Sequence, residues 1–170
     1  MTRRTNSGRA MRRMLWGILA GLLGLVLVAV LALAGIHAYL RAHPQDLSRL
    51  STITTTQAGE PLTLLVPETD DEKGHGLSGI DSLPADTALL LRSDDGDTRI
   101  MMLGMRFALD LVWLDAHCEV VRVVTGANPG FWPLFYAGPG EATAVVEFSV
   151  GDAARYGAGE VGATLRGACG

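Results

Sequence analysis

The chain has 170 residues, of which 14 are Lys or Arg and 18 are Asp or Glu, giving a formal charge of −4. Six arginines fall within residues 1–41 with no acidic residue, so the remainder holds eight basic residues against all 18 acids, near −10. So acidic a part repels phosphate backbones and anionic lipid head groups, which argues against a nucleic-acid partner.

Residues 14–36 read MLWGILAGLLGLVLVAVLALAGI, 23 positions without a charge. About 20 apolar residues cross the hydrocarbon core as a helix. The run exceeds the roughly 7–15 apolar residues of a signal peptide. Arg12 and Arg13 abut its start. By the positive-inside rule, residues 1–13 are a basic cytoplasmic tail and residues 14–40 a signal-anchor transmembrane helix. The expected location is the bacterial inner (cytoplasmic) membrane, single-pass, with the C-terminal part extracytoplasmic. Trp16 and Tyr39 lie near the two ends, where amphipathic rings favour the interface. A second reading stays open, because Ala32-Leu33-Ala34 before Gly35 has the form of a cleavage site. Cleavage near Ala34 would give a secreted protein. Gly17 and Gly21 have the spacing at which two helices approach closely, a weak signal for helix dimerisation.

Residues 41–50 read as a linker and residues 51–170 as one β domain. Seven short apolar runs are expected as strands: Thr52–Thr56, Leu62–Val66, Ala88–Arg92, Thr98–Leu103, Leu109–Leu114, Glu119–Val124 and Thr143–Val150. Their regular spacing suggests a mainly β fold, a compact antiparallel sandwich or barrel-like domain. Asp94-Asp95-Gly96-Asp97 reads as a hairpin turn, because its DG pair supplies positive φ angles. Asp115–Cys118 reads as a second. Two short helices are expected, around Asp70–Lys73 and at Asp152–Tyr156, the latter with Asp152 capping its start and Gly157 its end.

Three stretches together resemble the bacterial and archaeal family called domain of unknown function 192. They are TDDEKGHGLSGIDSLP (residues 69–84), MMLGMRFALDLVWLD (101–115) and AVVEFSVGDAARYG (144–157). Gly104-Met105-Arg106-Phe107 and Leu109-Asp110 fall on the family's central signature. The chain departs from the family at Met101-Met102-Leu103-Gly104, where many members carry Trp-Met-Lys-Asn. It also has Ala108 for the usual proline, and Ser78 where a Met is common. The resemblance implies a compact, mostly antiparallel β fold, often exported. It implies no reaction, and fold alone does not supply one.

Asp110 interrupts the apolar run LDLVWL, and a buried carboxylate needs a partner. Arg106, four residues earlier, is one candidate. The pair reads either as the polar part of a ligand or hydrolase-like catalytic pocket, or as a structural ion pair, unless strand alternation turns Asp110 outward. His75, between two glycines, reads as a solvated loop histidine rather than a metal ligand, having no second ligand at suitable spacing. His117 beside Cys118 suits a Cys-His nucleophile poorly, since adjacent strand residues point to opposite faces. Cys118 and Cys169 form no CxxC pair but would form a disulfide if the C-terminal tail lies beside the Asp115–Cys118 turn.

The loop from Asn128 to Tyr136 carries Phe131, Trp132, Phe135 and Tyr136. It reads either as a binding surface for an envelope protein or as a cap on the fold's open end. No cofactor, metal or nucleotide motif is present in the sequence. The leading reading is therefore a membrane-anchored interaction module of the cell envelope. The alternative is a small-ligand binder or hydrolase-like enzyme at Asp110 and Arg106.

Overall fold

The computed structural model describes residues 6–93, 96–129 and 135–168, with side chains from residue 11 onward. By internal contacts the chain divides into two compact units, Met1–Ala38 and Tyr39–Gly170.

A single helix, α1 (Asn6–Ala42), carries the apolar run. Within its span Met11–Ala42 the 18-residue apolar window has a mean hydropathy of 2.8, and the helix is long and apolar enough to cross a membrane. None of that apolar window is buried by the rest of the chain, and Met14, Leu23 and Leu25 are each more than two-thirds exposed. Helix therefore extends into the tail before residue 14 and into the expected 41–50 linker. Pro44, which restricts the backbone just before it to extended geometry, follows its end. The rest of the linker is a 3-10 turn, Leu47–Arg49, capped by the Asp46 side chain.

The second unit is mainly β, as expected. Its strands are β1 (Ser51–Gln57), β2 (Glu60–Val66), β3 (Thr87–Arg92), β4 (Leu109–Leu114), β5 (Val120–Ala127) and β6 (Ala144–Ser149). They form one sheet in the order β1-β2-β3-β6-β4-β5. Every pairing is antiparallel except β2 with β3. A parallel pair needs a crossover rather than a hairpin. Here the crossover contains α2 (Asp70–His75), started by a reciprocal Thr69–Glu72 capping box. Between β1 and β2, Ala58 and Gly59 both take positive φ, as a two-residue hairpin turn requires.

Both faces of the sheet are covered. Val112, Leu114, Val146 and Phe148 face a core closed by Ala153, Tyr156, Ala158 and Leu165. Leu89, Leu109, Leu111, Trp113 and Val145 face a second core closed by Leu77, Ile80, Met102 and Met105. β4 and β6 are therefore buried on both sides, which is why LDLVWL and AVVEF read as nearly continuous apolar runs.

Three expectations need correction. Residues 98–103 are not a strand: Ile100 makes one isolated bridge to Tyr136, and the segment lies across the second core. Its alternating apolar residues report burial, not a ladder. The 94–97 turn therefore joins no ladder hairpin, and Asp94 and Asp95 lie outside the described residues. Asp152 does not cap α3 (Asp152–Arg155). Gly151 holds that position, without a side-chain cap.

Candidate functional site

Asp110 and Arg106 are not partners. Asp110 is 2% exposed in β4. Its two carboxylate oxygens accept from the backbone N–H of Gly126, at 2.9 Å, and of Gly151, at 2.7 Å. Opposite Asp110 the β4–β5 register slips, so that β5 advances from Ala127 to Val124 while β4 advances from Leu109 to Leu111. The bulge frees the Gly126 N–H from the ladder. The carboxylate thus fastens the β5 bulge to the turn that begins α3. Arg106 instead donates to the Asp81 carboxylate and to the Arg41 carbonyl oxygen, both at 2.9 Å.

A second carboxyl in the sheet escaped the sequence reading. Glu147 is 4% exposed in β6, paired with Leu89 of β3 and Leu111 of β4. Strand alternation puts it on the opposite face from Phe148, toward the second core. It makes no hydrogen bond or ion pair among the described residues. No fully buried side-chain oxygen there lacks a partner, so the Glu147 oxygens keep a trace of access to solvent. Burial pushes this carboxyl up to about 8, favouring its neutral form. The signal in the sequence is the same as for Asp110, an acid interrupting an apolar run.

Two of the signature stretches meet at the last turn of α1. The Gly79 N–H donates to the Gly104 carbonyl oxygen at 3.0 Å, and the Ser78 hydroxyl to that of Leu103 at 2.8 Å. Gly79 and Gly104 have φ of +80° and +79°, and each is pressed against Leu40. Both the left-handed backbone and the close approach call for glycine. The loops form a seat for Leu40, and Arg106 holds the next carbonyl.

Immediately after this turn the chain lines a cleft of about 470 Å³, walled by His43, Pro44, Gln45, Asp46, Arg49 and Leu50 on one side. Thr69, Asp71, Glu72 and His75 of the α2 region form the other. His75 is the final residue of α2 rather than a solvated loop residue. Its Nε2 donates to the His43 carbonyl oxygen at 2.9 Å. His43 donates through Nδ1 to the Tyr39 carbonyl oxygen at 2.9 Å and stacks on the Tyr39 ring. A carbonyl only accepts, so the named nitrogen of each ring is a donor. The Gln45 amide nitrogen, in the orientation its neighbours require, donates to the carbonyls of Glu72 and Gly76 at the end of α2. Asp46 and Glu72 are both held below the usual carboxylate range, by the Ser48 hydroxyl and the Thr69 backbone N–H respectively. The Arg49 charge also helps to hold both carboxyls down. No group of three or more His, Cys, Asp or Glu placed to hold a metal occurs among the described residues.

The aromatic loop divides. Phe131 and Trp132 lie outside the described residues. Phe135 is 45% exposed with the Arg99 guanidinium 5.6 Å from its ring centre. Tyr136 is tied by two 2.8 Å backbone bonds to Ile100 and packs on the second core. His117 sits in the β4–β5 turn, its N–H bonded to the Asp115 carboxylate. Cys118 is buried and is not a free thiol. Residues 162–165 run beside its turn, where the Leu165 N–H donates to the Cys118 carbonyl at 3.0 Å. Cys169 lies outside the described residues.

Two solved structures share the fold. One is a protein of unknown function from Novosphingobium aromaticivorans DSM 12444, at 23% identity and a TM-score of 0.58, covering 72% of this chain and 89% of that one. The other is a Sinorhizobium meliloti 1021 protein for which transcription regulation has been proposed, at 17% identity and a TM-score of 0.59, covering 71% and 96%. At these identities the likeness concerns fold alone. No curated protein matches the chain. The molecule is thus a small mixed-sheet domain behind a long apolar helix. Its residues 52–166 match the family of domain of unknown function 192, described as "Uncharacterized ACR", and the chain belongs to that family. The match leaves out α1 and residues 43–51, from which one wall of the cleft is drawn.

Proposed function

We propose that the chain is a membrane-anchored, extracytoplasmic binding module of the cell envelope, with the cleft between residues 43–50 and α2 as its ligand site. The observation that carries this reading is the continuity of α1. An apolar helix whose window is not buried by any of the described residues runs, unbroken, into a turn seated on the Gly79 and Gly104 loops, and from there into the cleft wall. Apolar side chains so exposed need a hydrocarbon surrounding. The Asp110–Arg106 pocket has less support, since each group is engaged elsewhere.

The test uses the full-length chain. Alkaline extraction should leave it in the membrane fraction, and protease added from the outer side should remove the β domain. Recovery as a soluble chain starting near Gly35 would overturn the anchor. A thermal-shift screen of small polar compounds should give ligands whose effect disappears in Arg49→Gln and Asp71→Asn.

A protein partner at the aromatic loop is the second reading, favoured by the exposure of Phe135. Crosslinked capture with and without Trp132→Ala separates the two. A species lost only in Trp132→Ala assigns binding to the loop, and one lost only in Asp71→Asn assigns it to the cleft.

A further inference from the structure

We propose that the outer edge of β1 docks a second copy of this chain, the two β1 strands pairing antiparallel across a twofold axis at Thr54 so that two sheets become one.

The phase of the strand comes first. Ala58 and Gly59 close a two-residue turn between β1 and β2. Such a turn bonds its first carbonyl oxygen to its fourth N–H, which makes Gln57 and Glu60 a hydrogen-bonded pair. Bonded pairs recur at every second residue, so Thr55, Ile53 and Ser51 also direct their N–H and C=O groups to β2. The Thr63 N–H agrees with this phase, because it turns away from β1 to the Asp86 carbonyl oxygen. Thr52, Thr54 and Thr56 therefore point their backbone groups outward. Among the described residues no hydrogen bond reaches those groups. Their side chains are exposed, on the face opposite Ile53, which packs against the first core.

The two edges of the sheet differ. β5, at the other end, is guarded in several ways. Its register slips twice, it carries Arg122, and Val120 is bonded on its open side to Ala163 and Gly162. A bulge, a charge and a covering segment are devices that keep an edge from pairing with its neighbours. β1 has none of them. Its seven residues, STITTTQ, include no charge and no proline, and its register with β2 is continuous from Ser51 to Gln57.

A second copy fits this edge group for group. With Thr54 opposite Thr54, Thr52 of one protomer faces Thr56 of its partner, and every outward N–H and C=O is matched. Cross-strand threonine pairs are favourable and like charges directly opposite are not. This register opposes no charge to another. A contact of this symmetry closes at two copies. An edge of seven residues buries less than a standard interface, so the dimer is weak and depends on concentration.

The test is sedimentation equilibrium of the full-length chain in density-matched detergent over a wide range of concentration. The native chain should associate to a dimer. Thr54→Lys and Thr54→Glu each set like charges against each other across the axis and should weaken it about five-fold. Mixed in equal amounts, the two should pair with one another at least as tightly as the native chain does with itself. Thr54→Pro removes an outward N–H and no bond to β2. It should abolish dimerisation while the circular dichroism spectrum and melting temperature stay native. A native chain that is monomeric throughout overturns the proposal. In that case a different protein captured by crosslinking the native chain, but not Thr54→Pro, assigns the edge to another partner. Association that all three variants keep belongs to another surface, such as α1, and also overturns it. Weakening in both charged variants that mixing does not reverse overturns the twofold register. If Thr54→Pro unfolds, the two charged variants and their mixture still decide.

Discussion

A methyl group on Gly79 would lie 2.5 Å from the carbonyl oxygen of Leu40, closer than any unstrained contact. One on Gly104 would lie 2.7 Å from the Leu40 Cβ. The last turn of α1 is therefore fitted to the domain by the absence of two side chains. Gly79→Ala and Gly104→Ala combine this clash with positive φ, and each should cost about 1–3 kcal/mol. Hydrogen exchange should rise around residues 39–46 more than in β4 and β6. Uniform protection in both variants would show that the turn is not held there.

Asp110→Ala leaves the Gly126 and Gly151 N–H groups, both in part-buried bonds, without their acceptor and should cost about 1–3 kcal/mol by chemical denaturation. Arg106→Ala removes a partly exposed bridge to Asp81 and should change stability by no more than about 1 kcal/mol. The double variant should equal the sum of the two. A coupling well above 0.5 kcal/mol would show that the two residues communicate after all.

Glu147 links stability to pH. Its folded-state value is raised from 4.5 to about 8, so the native state binds the proton more tightly than the unfolded chain. The contribution is fully present below about pH 4.5, declines as pH rises between 4.5 and 8, and is lost above that. The slope approaches 1.4 kcal/mol per pH unit within the window. Glu147→Gln removes the titration, so its stability relative to the native chain should rise between about pH 4.5 and 8 and level off above that. Parallel stability profiles for the two proteins would show that the carboxyl is hydrated or paired.

Cys118 is expected to pair with Cys169. Alkylation under non-reducing conditions should leave both unlabelled, and peptide mapping should find them joined. A bridge closing a loop of this length contributes about 2–4 kcal/mol, so reduction should lower the melting temperature by several degrees. Quantitative labelling of Cys169 in the native protein would show a free terminal thiol.

Much of the fold was readable because sheet burial leaves a direct trace in the chain. The expected Leu109–Leu114 has the observed bounds, and five other expected strands lie within two or three residues of theirs. The segment 98–103 failed because burial over a sheet face and burial within it use the same residues. The site was harder to read. Asp110 was noticed as an acid in an apolar run, but its partners are backbone groups presented by a bulge and a turn, which no side-chain pattern encodes. The cleft joins residues 43–50 to residues 69–75 through the docking of Leu40, a contact between a helix end and two loops more than 35 residues away. His75 was read as loose because glycines flank it, yet Gly76 ends a capped helix that fixes its ring.

The place of β6 bears on how the chain acquires its structure. It is the last strand in sequence, yet it lies between β3 and β4 near the middle of the sheet. Until it arrives, β1–β2–β3 and β4–β5 are two ribbons, with the inner edges of β3 and β4 open. Emerging N-terminus first, the chain cannot join them before Ser149 is free. Unpaired inner edges invite strand exchange with neighbouring chains. A nascent domain carries that hazard through most of its synthesis. Stalling before residue 144 should therefore yield protease-sensitive, aggregation-prone chains, and extension past residue 149 should bring resistance in one step rather than gradually.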